Sequence, residues 1–423
     1  MSEGYRESVL DNGLRVVTEA MPRLETAAIG LWVDVGSRHE AVEVNGIAHM
    51  LEHMAFKGTE RRSARRIAEE IEDVGGSLNA YTSREHTAYY ARILADDIDL
   101  AGDMLADIVR HSTFDPAELE KERHVIIQEI GEVEDTPSDL VFDLFQEVAY
   151  PDQPIGRSIL GPEETVAGMP RQALFDYVDE HYHAGRMILS ASGRVDHARV
   201  VELAERAFGD CVRGNASAPA SARYVGGSRM VERDLEQVHL CMGVDAFAYT
   251  DPDLYALQVF SAALGGGMSS RLFQKVREEM GLCYSIYSFT ALHNDSGLMG
   301  IYAGTGEEDV GRLLPAIAGE VRSMLDGFGP LELARAKVQM KAGLLMGLEG
   351  CFSVCEDMAR QHLCFGDRLM AADIAARIDA VDMDAIRRVG ERLFGGNPQP
   401  TLVAIGPREG LPDIDAGRVF EAA

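Results

Sequence analysis

The chain has 423 residues, which is enough for two or three domains with buried cores. Hydrophobic residues make up 46% and charged residues 26% of it, a balance typical of globular proteins that excludes collagen-like and disordered classes. The 40 Lys and Arg residues against 69 Asp and Glu residues give a net charge of −29, which disfavours nucleic acid as a partner and either attracts cationic substrates or only aids solubility.

The sequence shows no targeting or membrane segment. Its apolar runs are all shorter than the roughly 20 residues that a membrane-spanning helix needs. Residues 1–7 lack the basic and apolar pattern of a signal peptide, and they are not the Arg-rich, acid-poor start of a transit peptide. We therefore expect a cytoplasmic protein without membrane contact.

Short strands alternate with amphipathic helices through the first half of the chain. Asn12 and Gly13 form a turn signal before the first strand, and Gly75 and Gly76 end the second helix. The pattern predicts strands at 14–18, 27–35, 78–81 and 87–93, and helices from Gly46 and at 62–74, 98–111 and 116–132.

The second half has the same order of elements. The pattern predicts strands at 238–244, 284–289 and 297–303, and helices at 253–264, 269–279, 309–326 and 331–347. Two similar hexapeptides begin at Phe114 and Phe328, an offset of 214 residues, and each opens a helix with Pro in its first turn. The sequence therefore predicts two copies of one α+β unit of about 210 residues.

A small, polar stretch without periodicity separates the two copies. It includes residues 213–222, which are typical of a linker. The predicted organisation is a first domain over 1–212, a linker at 213–225 and a second domain over 226–423.

The six cysteines are too few for a disulfide framework in a chain of this length. Cys351 and Cys355 lie four residues apart and close to His362 and Cys364, which leaves a metal site open. The helical, apolar pattern of 338–370 favours the other interpretation, in which small cysteine side chains fill gaps in a core.

The residues that carry chemistry begin with a pair of histidines. His49 and His53 lie four apart on the helix that begins near Gly46, so both imidazoles lie on one helix face, the arrangement that a tetrahedral Zn²⁺ ion needs. Glu52 lies on the same side and reaches a metal-bound water rather than the metal. This His-x-x-Glu-His order is the inverted form of the zinc-protease motif.

A catalytic zinc ion takes a third protein ligand besides water. The predicted helix that follows supplies several acidic candidates, of which Glu122 and Glu129 lie two helical turns apart and share a face. Chemistry alone does not choose among them. The candidates are Glu118, Glu120, Glu122, Glu129, Glu132 and Glu134.

The helix with the two histidines resembles the zinc helix of the pitrilysin, insulin-degrading enzyme and mitochondrial processing peptidase superfamily. In that superfamily the third ligand is a Glu about 76 residues beyond the second His, and Glu129 lies 76 residues beyond His53. The resemblance implies that His49, His53 and Glu129 bind one Zn²⁺ ion per chain. It also implies that Glu52 is the general base and that Glu122 supports the site without binding the metal.

Two further segments carry the resemblance. Residues 75–87 resemble the substrate-binding edge strand of the family, which implies that Asn79, Ala80 and Tyr81 contact the peptide. Arg277 and Tyr284 match the Arg and Tyr pair that holds the substrate backbone in relatives.

The segment before this pair has two interpretations. Residues 265–273 resemble the glycine-rich loop of the family. Glycines before a helix also occur in phosphate sites, but the Gly-Lys-Ser/Thr order of a phosphate loop is missing.

The similarity extends over nearly the whole chain. Residues 152–162 are similar to processing-peptidase β subunits and their bacterial homologues, and no motif position departs from the family pattern. The second half has no His-x-x-Glu-His motif, and Ala336 and Gly343 stand at the offset positions of Glu122 and Glu129. The resemblance implies an α+β fold of two homologous domains, each with a mostly antiparallel sheet packed with helices, which together form half of a clam-shell chamber.

The implied activity is that of a zinc metalloendopeptidase acting on unfolded or presequence-like peptides bound in an extended conformation. Because one chain carries both the zinc set and the Arg277 and Tyr284 pair, we expect a homodimer with two sites. Two alternatives stay open: a subunit of a hetero-oligomeric processing peptidase, and a non-catalytic peptide-binding or scaffold homologue.

Overall fold

The computed structural model describes residues 4–214, 218–396 and 399–411. Within these ranges the chain forms two compact units, each assembled from several segments. The first unit contains the residues up to 131 together with 157–220 and 346–370, and the second contains 132–156, 221–345 and the residues from 371 onward.

The bounds of the strands and helices are as follows. The strands are β1 (Tyr5–Val9), β2 (Arg15–Ala20), β3 (Thr26–Val33), β4 (Ser77–Thr82), β5 (Thr87–Leu94), β6 (Met187–Gly193), β7 (Gly227–Glu232), β8 (Val238–Asp245), β9 (Ser285–Leu292), β10 (Gly297–Thr305) and β11 (Thr401–Gly406). The α-helices are α1 (Ile47–Ala55), α2 (Ala64–Glu72), α3 (Ile98–Arg110), α4 (Pro116–Glu134), α5 (Pro137–Ala149), α6 (Glu163–Gly168), α7 (Arg171–His181), α8 (His197–Phe208), α9 (Leu254–Gly265), α10 (Val310–Gly327), α11 (Pro330–Gly347), α12 (Cys351–Phe365), α13 (Ala371–Ala380) and α14 (Met383–Phe394). A π-helical segment spans Phe273–Glu279.

Local chemistry sets several helix ends. The side chains of Ser63, Asp196 and Asp382 accept hydrogen bonds from backbone N–H groups in the first turns of α2, α8 and α14. Pro116 and Pro330 are the first residues of α4 and α11. Because a backbone N–H group at this position makes no hydrogen bond within the helix, its absence in proline costs nothing there.

The first unit is built on a six-stranded mixed sheet in the order β1-β2-β6-β3-β5-β4. β2 and β6 are parallel and the other pairs are antiparallel. Because helices α1, α3 and α8 cover one face and α12 covers the other, β3 is buried from Ala27 to Val33. β4 lies at one edge of this sheet.

Helix α12 comes from the second half of the sequence. Its apolar side chains, including Cys355 and Met358, pack against Ala28 and Trp32 of the first sheet. Helix α5 makes the reciprocal exchange, because it belongs to the first half and packs Val141 on the second sheet. The predicted boundary at 213–225 concerns the two sequence halves and stays a prediction.

The second unit repeats the plan of the first. Its sheet has the order β7-β11-β8-β10-β9, with β7 and β11 parallel and the other pairs antiparallel. Apart from the additional β1, the two sheets therefore have the same arrangement of neighbours. The predicted fold class, α+β with two homologous domains of sheet and helices, is confirmed.

Each helix and strand predicted from the sequence is present, with ends that differ by a few residues. Two details differ from expectation. The predicted helix 269–279 is π-helical over its last seven residues. The predicted apolar core at 338–370 is confined to α12, because α11 ends at Gly347 and is largely exposed. No helix in the described ranges is long and apolar enough to cross a membrane.

Candidate metal centre and peptide-binding residues

Helix α1 begins at a tightly packed turn. Gly46 has a φ of 96°, and a Cβ atom there would lie 2.5 Å from the carbonyl oxygen of Leu160, so both conformation and space require glycine. The buried carboxylate of Glu40 accepts hydrogen bonds from the N–H groups of Gly46 and Ala48 at 2.8 and 2.9 Å. Burial raises the pKa of Glu40 to about 7, while these hydrogen bonds oppose the shift. The N-terminus of α1 is therefore fixed by its own loop.

Three potential metal ligands meet between α1 and α4. The Nε2 atoms of His49 and His53 lie 3.7 and 3.6 Å from Oε2 of Glu129. The two imidazole rings have centroids 4.6 Å apart, and one ligand atom from each of the three residues lies within 4.8 Å of the others. The structure thus brings together the three residues that the sequence predicts as ligands.

The donor set fits a zinc ion. Ligand atoms about 2.0–2.1 Å from a tetrahedral zinc lie roughly 3.4 Å from one another, close to the distances between the histidines and Glu129. Burial, followed by the proximity of His53, lowers the pKa of His49 to about 4, so this ring is neutral at pH 7 and its lone pair is available to a metal. Two imidazoles and one carboxylate are typical zinc ligands.

Glu122 contacts the centre from behind His53. Its Oε2 atom lies 3.0 Å from Nδ1 of His53, and its Oε1 atom lies 2.7 Å from Nζ of Lys57. This carboxylate is buried. The ion pair with Lys57 on one oxygen and the contact with His53 on the other fix its orientation. Such a partner fixes the tautomer and orientation of a ligand histidine. His49 has no equivalent support, because its Nδ1 atom is buried without a hydrogen-bond partner among the described residues.

Glu52 projects from α1 toward the edge strand β4. Its Oε2 atom accepts a hydrogen bond of 2.7 Å from the hydroxyl of Thr82. Burial raises the pKa of Glu52, and the hydrogen bond from Thr82 opposes this shift. A carboxylate with a raised pKa beside a metal centre is suited to proton transfer.

Strand β4 presents different side chains to its two faces. Ala80 packs into the core cluster that contains α1, whereas the Tyr81 hydroxyl donates a 2.9 Å hydrogen bond to Glu356 of α12 and accepts one from Trp32. Asn79 uses its side-chain oxygen to accept a hydrogen bond from the N–H group of Ala80. The side chain of Tyr81 therefore lies on the α12 face, and its expected contact with a peptide stays a prediction.

Arg277 and Tyr284 lie in the second unit. The guanidinium of Arg277 stacks on two rings, with its carbon 4.4 Å from the centroid of Phe273 and 5.6 Å from that of Tyr284. Tyr284 is 76% exposed. These cation–π contacts hold the guanidinium beside both rings, and its Nη1 atom lies 3.2 Å from Oε1 of Glu278.

Among the described residues, the group of side chains that could hold a metal ion is His49, His53 and Glu129, and the cysteine-rich segment contributes no such group. Cys355 instead donates a hydrogen bond to the carbonyl oxygen of Ser190, and all six cysteines are free. The packing interpretation therefore describes Cys355.

The sequence did not single out several residues that complete these sites. Lys57 lies one turn beyond His53, and Phe273 lies four residues before Arg277, so helical spacing alone marks both as neighbours of predicted residues. The contact of Thr82 with Glu52 joins a strand to a helix, and no local spacing predicts it.

Comparison with known proteins identifies the two halves separately. Residues 15–163 match the family model described as Insulinase (Peptidase family M16). Residues 168–340 match the model described as Peptidase M16 inactive domain. The first match contains the His49, His53 and Glu129 group, and the second contains Arg277 and Tyr284.

Relatives match along almost the entire chain. An uncharacterized zinc protease of Rickettsia felis is 39% identical over 97% of this chain and 99% of its own length. The mitochondrial-processing peptidase subunit beta of Rattus norvegicus is 40% identical over 96% of this chain and 85% of its own length. The structure of a protease from Helicobacter pylori has the same fold, with a TM-score of 0.88 at 23% identity over 95% of this chain and 99% of that one. The chain therefore belongs to peptidase family M16.

Proposed function

We propose that the protein is a zinc metalloendopeptidase that hydrolyses unfolded or presequence-like peptides. The observation that supports this function best is the convergence of His49, His53 and Glu129 next to Glu52. The names of the zinc-protease and processing-peptidase relatives agree with the same reaction. The intact donor set argues against the scaffold alternative.

The reaction divides among the residues of this centre. His49, His53 and Glu129 would hold a zinc ion, which when bound would polarise the scissile carbonyl and acidify a water molecule. Glu52 accepts the proton of the attacking water and passes it to the leaving amine nitrogen, for which its raised pKa suits it. Glu122 holds His53 in the tautomer that presents Nε2 to the metal.

The substrate binds as an additional strand. β4 lies at the edge of its sheet, and an extended peptide would pair with its backbone at Asn79, Ala80 and Tyr81, where it displaces the side-chain oxygen of Asn79 from the N–H group of Ala80. Such pairing is largely independent of side chains, which fits a broad range of peptide sequences. Arg277 and Tyr284 bind the peptide backbone near its cleaved carbonyl, where the guanidinium of Arg277 stabilises developing negative charge.

We also propose that two chains form a homodimer and enclose the substrate in a clam-shell chamber. One chain supplies both the metal ligands and the Arg277 and Tyr284 pair, so two identical copies suffice for complete sites. The net charge of −29 favours basic peptides. The name of the rat relative, a subunit beta, favours a second candidate in which this chain works with a different partner. The cytoplasmic location stays a prediction.

The deciding experiment is Glu52→Gln, because glutamine keeps the shape of the side chain and cannot accept the proton. We expect the variant to retain one zinc per chain by metal analysis and to lose cleavage of casein and of a presequence-like peptide. Glu72→Gln, which alters an exposed carboxylate on α2, serves as the matched control and is expected to remain active. Full activity of Glu52→Gln would refute the general-base role.

The purified wild-type protein distinguishes the homodimer from the hetero-oligomeric candidate. For a homodimer we expect twice the mass of one chain by light scattering, together with peptidase activity of the purified chain alone. Zinc-loaded protein that gains activity only when a second, different chain is added would contradict the homodimer and support the hetero-oligomeric candidate.

A further inference from the structure

The end of the edge strand β4 contacts the centre through one hydroxyl. Side chains alternate along a strand, so Thr82 shares the α1-facing side of β4 with Ala80, while Tyr81 faces α12. The Thr82 hydroxyl lies 2.7 Å from Oε2 of Glu52 and 3.4 Å from the carbonyl oxygen of Ala48. A threonine hydroxyl has one proton to donate, and the shorter contact, to a carboxylate, is the stronger bond.

We propose that Thr82 is a positioning residue for the general base, an inference that rests on the proposed function of Glu52. The hydroxyl holds Oε2, which fixes the rotation of the carboxylate. Oε1 is then the oxygen that accepts the proton of the attacking water. Without this bond the carboxylate of Glu52 rotates freely, so that only a fraction of the molecules have Oε1 directed toward the water.

The position of Thr82 also connects substrate binding with the base. Residues 79–81 of β4 are those expected to pair with the peptide, and Thr82 follows them directly before the chain leaves the strand. On the other edge of β4, Thr82 is in register with Thr87 of β5, so the sheet fixes its backbone. A peptide paired with residues 79–81 would therefore lie along the strand that also carries the hydrogen-bond donor to Glu52.

Three variants test the proposal, because the loss of a positioning residue is expected to lower kcat and leave KM unchanged. Thr82→Val keeps the shape of the side chain and removes the hydroxyl, and we expect kcat to fall about tenfold to hundredfold, the range for a hydrogen bond to a charged group. KM and zinc content are expected to stay as in the wild type. Thr82→Ser keeps the hydroxyl and is expected to restore most of kcat.

Thr87→Val controls for the loss of a threonine hydroxyl in the same strand pair. The Thr87 hydroxyl donates to the carbonyl oxygen of Val35 rather than to the base, so its removal is expected to lower thermal stability and leave kcat close to that of the wild type. Unchanged kcat in Thr82→Val, or an equal loss in Thr82→Ser, would overturn the positioning role.

A second measurement does not depend on catalysis. In the metal-free protein we expect Thr82→Val to lower the urea midpoint, and to lower it less when Glu52→Ala is already present, because the partner of the hydroxyl is then gone. Equal losses in both backgrounds would contradict a direct bond. The outcomes stay distinguishable: an active Glu52→Gln variant defeats the proposed function, whereas an inactive Glu52→Gln beside a fully active Thr82→Val defeats this inference alone.

Discussion

Helices α4 and α11 hold equivalent places in the two units, because each follows a strand and a helix in the same order. Only α4 carries potential metal ligands. α4 presents Glu122 and Glu129 to the histidines of α1. At the 214-residue offset, α11 has the buried Ala336 and the exposed Gly343, neither of which can bind a metal. The shared arrangement of elements therefore provides a place for a metal centre without requiring one.

The helices that precede the edge strands differ in the same way. α1 carries two histidines and a glutamate, whereas α9 has no ionisable side chain apart from that of Tyr255. In the second unit the hydroxyl of Ser288 on β9 donates to the carbonyl oxygen of Ser261 on α9, at 2.7 Å. In the first unit the hydroxyl of Thr82 on β4 donates instead to a side-chain carboxylate. One copy uses the contact between helix and strand for a hydrogen bond to the backbone, and the other uses it to hold the carboxylate of Glu52.

The largest effect that separates α4 from α11 is expected from Glu129→Ala. Loss of this ligand leaves two histidines, and we expect less than one zinc per chain and at least about a 10³-fold fall in peptidase activity. Metal analysis and peptide cleavage measure the two effects. Glu132→Ala, which removes an exposed carboxylate of the same helix, is the control. If Glu129→Ala retained zinc and Glu132→Ala lost it, the third ligand would be Glu132 and not Glu129.

A contribution of the second unit to the reaction is tested by Arg277→Ala. We expect kcat/KM to fall about 10²-fold, as for the loss of one donor to a developing oxyanion, with zinc content unchanged. Arg277→Lys is expected to recover little, because an ammonium group lacks the planar faces that stack on Phe273 and Tyr284.

The control removes a positive charge from the same segment. Lys275 is exposed and pairs with Glu279 at 2.6 Å, so Lys275→Ala is expected to keep its activity. An equal loss in the Lys275 and Arg277 variants would indicate that general charge, and not the stacked guanidinium, is what the substrate requires.

The elements of the fold were predictable where periodicity is strong. β4 and α4 were both anticipated nearly to their ends because alternating or helical apolar patterns and a proline mark them. The exchange of α5 and α12 between the two halves of the sequence was not predictable, since an apolar helix face shows that it is buried but does not identify the sheet that buries it. The sequence analysis also did not predict strands β1, β6, β7 and β11.

The site was predictable to the extent that it is local in sequence. His49, Glu52 and His53 follow from helical spacing, whereas the choice of Glu129 among six acidic residues depended on the family resemblance. The side chain of Tyr81, which faces α12, and the hydroxyl of Thr82, which faces Glu52, differ by one position in β4, and only the sheet and its helices decide this difference.

A smaller effect is expected from the support of His53. Glu122→Gln leaves the three ligands in place and weakens the hold on the ligand ring, so we expect zinc affinity to fall about 10–100-fold. Competition with a chelator of known affinity measures this loss. Glu120→Gln, an exposed change on the same helix, is the control. Unaltered zinc affinity in Glu122→Gln would show that the ion pair with Lys57 serves packing instead of the metal centre.

The smallest effect concerns the position on α11 that corresponds to Glu129. Gly343 lies inside the helix, and a Cβ atom added there would meet no other atom within 4 Å, so Gly343→Ala should stabilise the protein by about 0.5–1 kcal/mol and leave zinc and activity unchanged. Urea denaturation measures the gain. The same change to alanine would then abolish peptidase activity at position 129 of α4 and stabilise the protein at position 343 of α11. Such a result would mean that only the first copy uses this turn for catalysis. A lower denaturation midpoint, or a loss of activity in Gly343→Ala, would instead show that this turn of α11 has a requirement for glycine comparable to the requirement for Glu129 on α4.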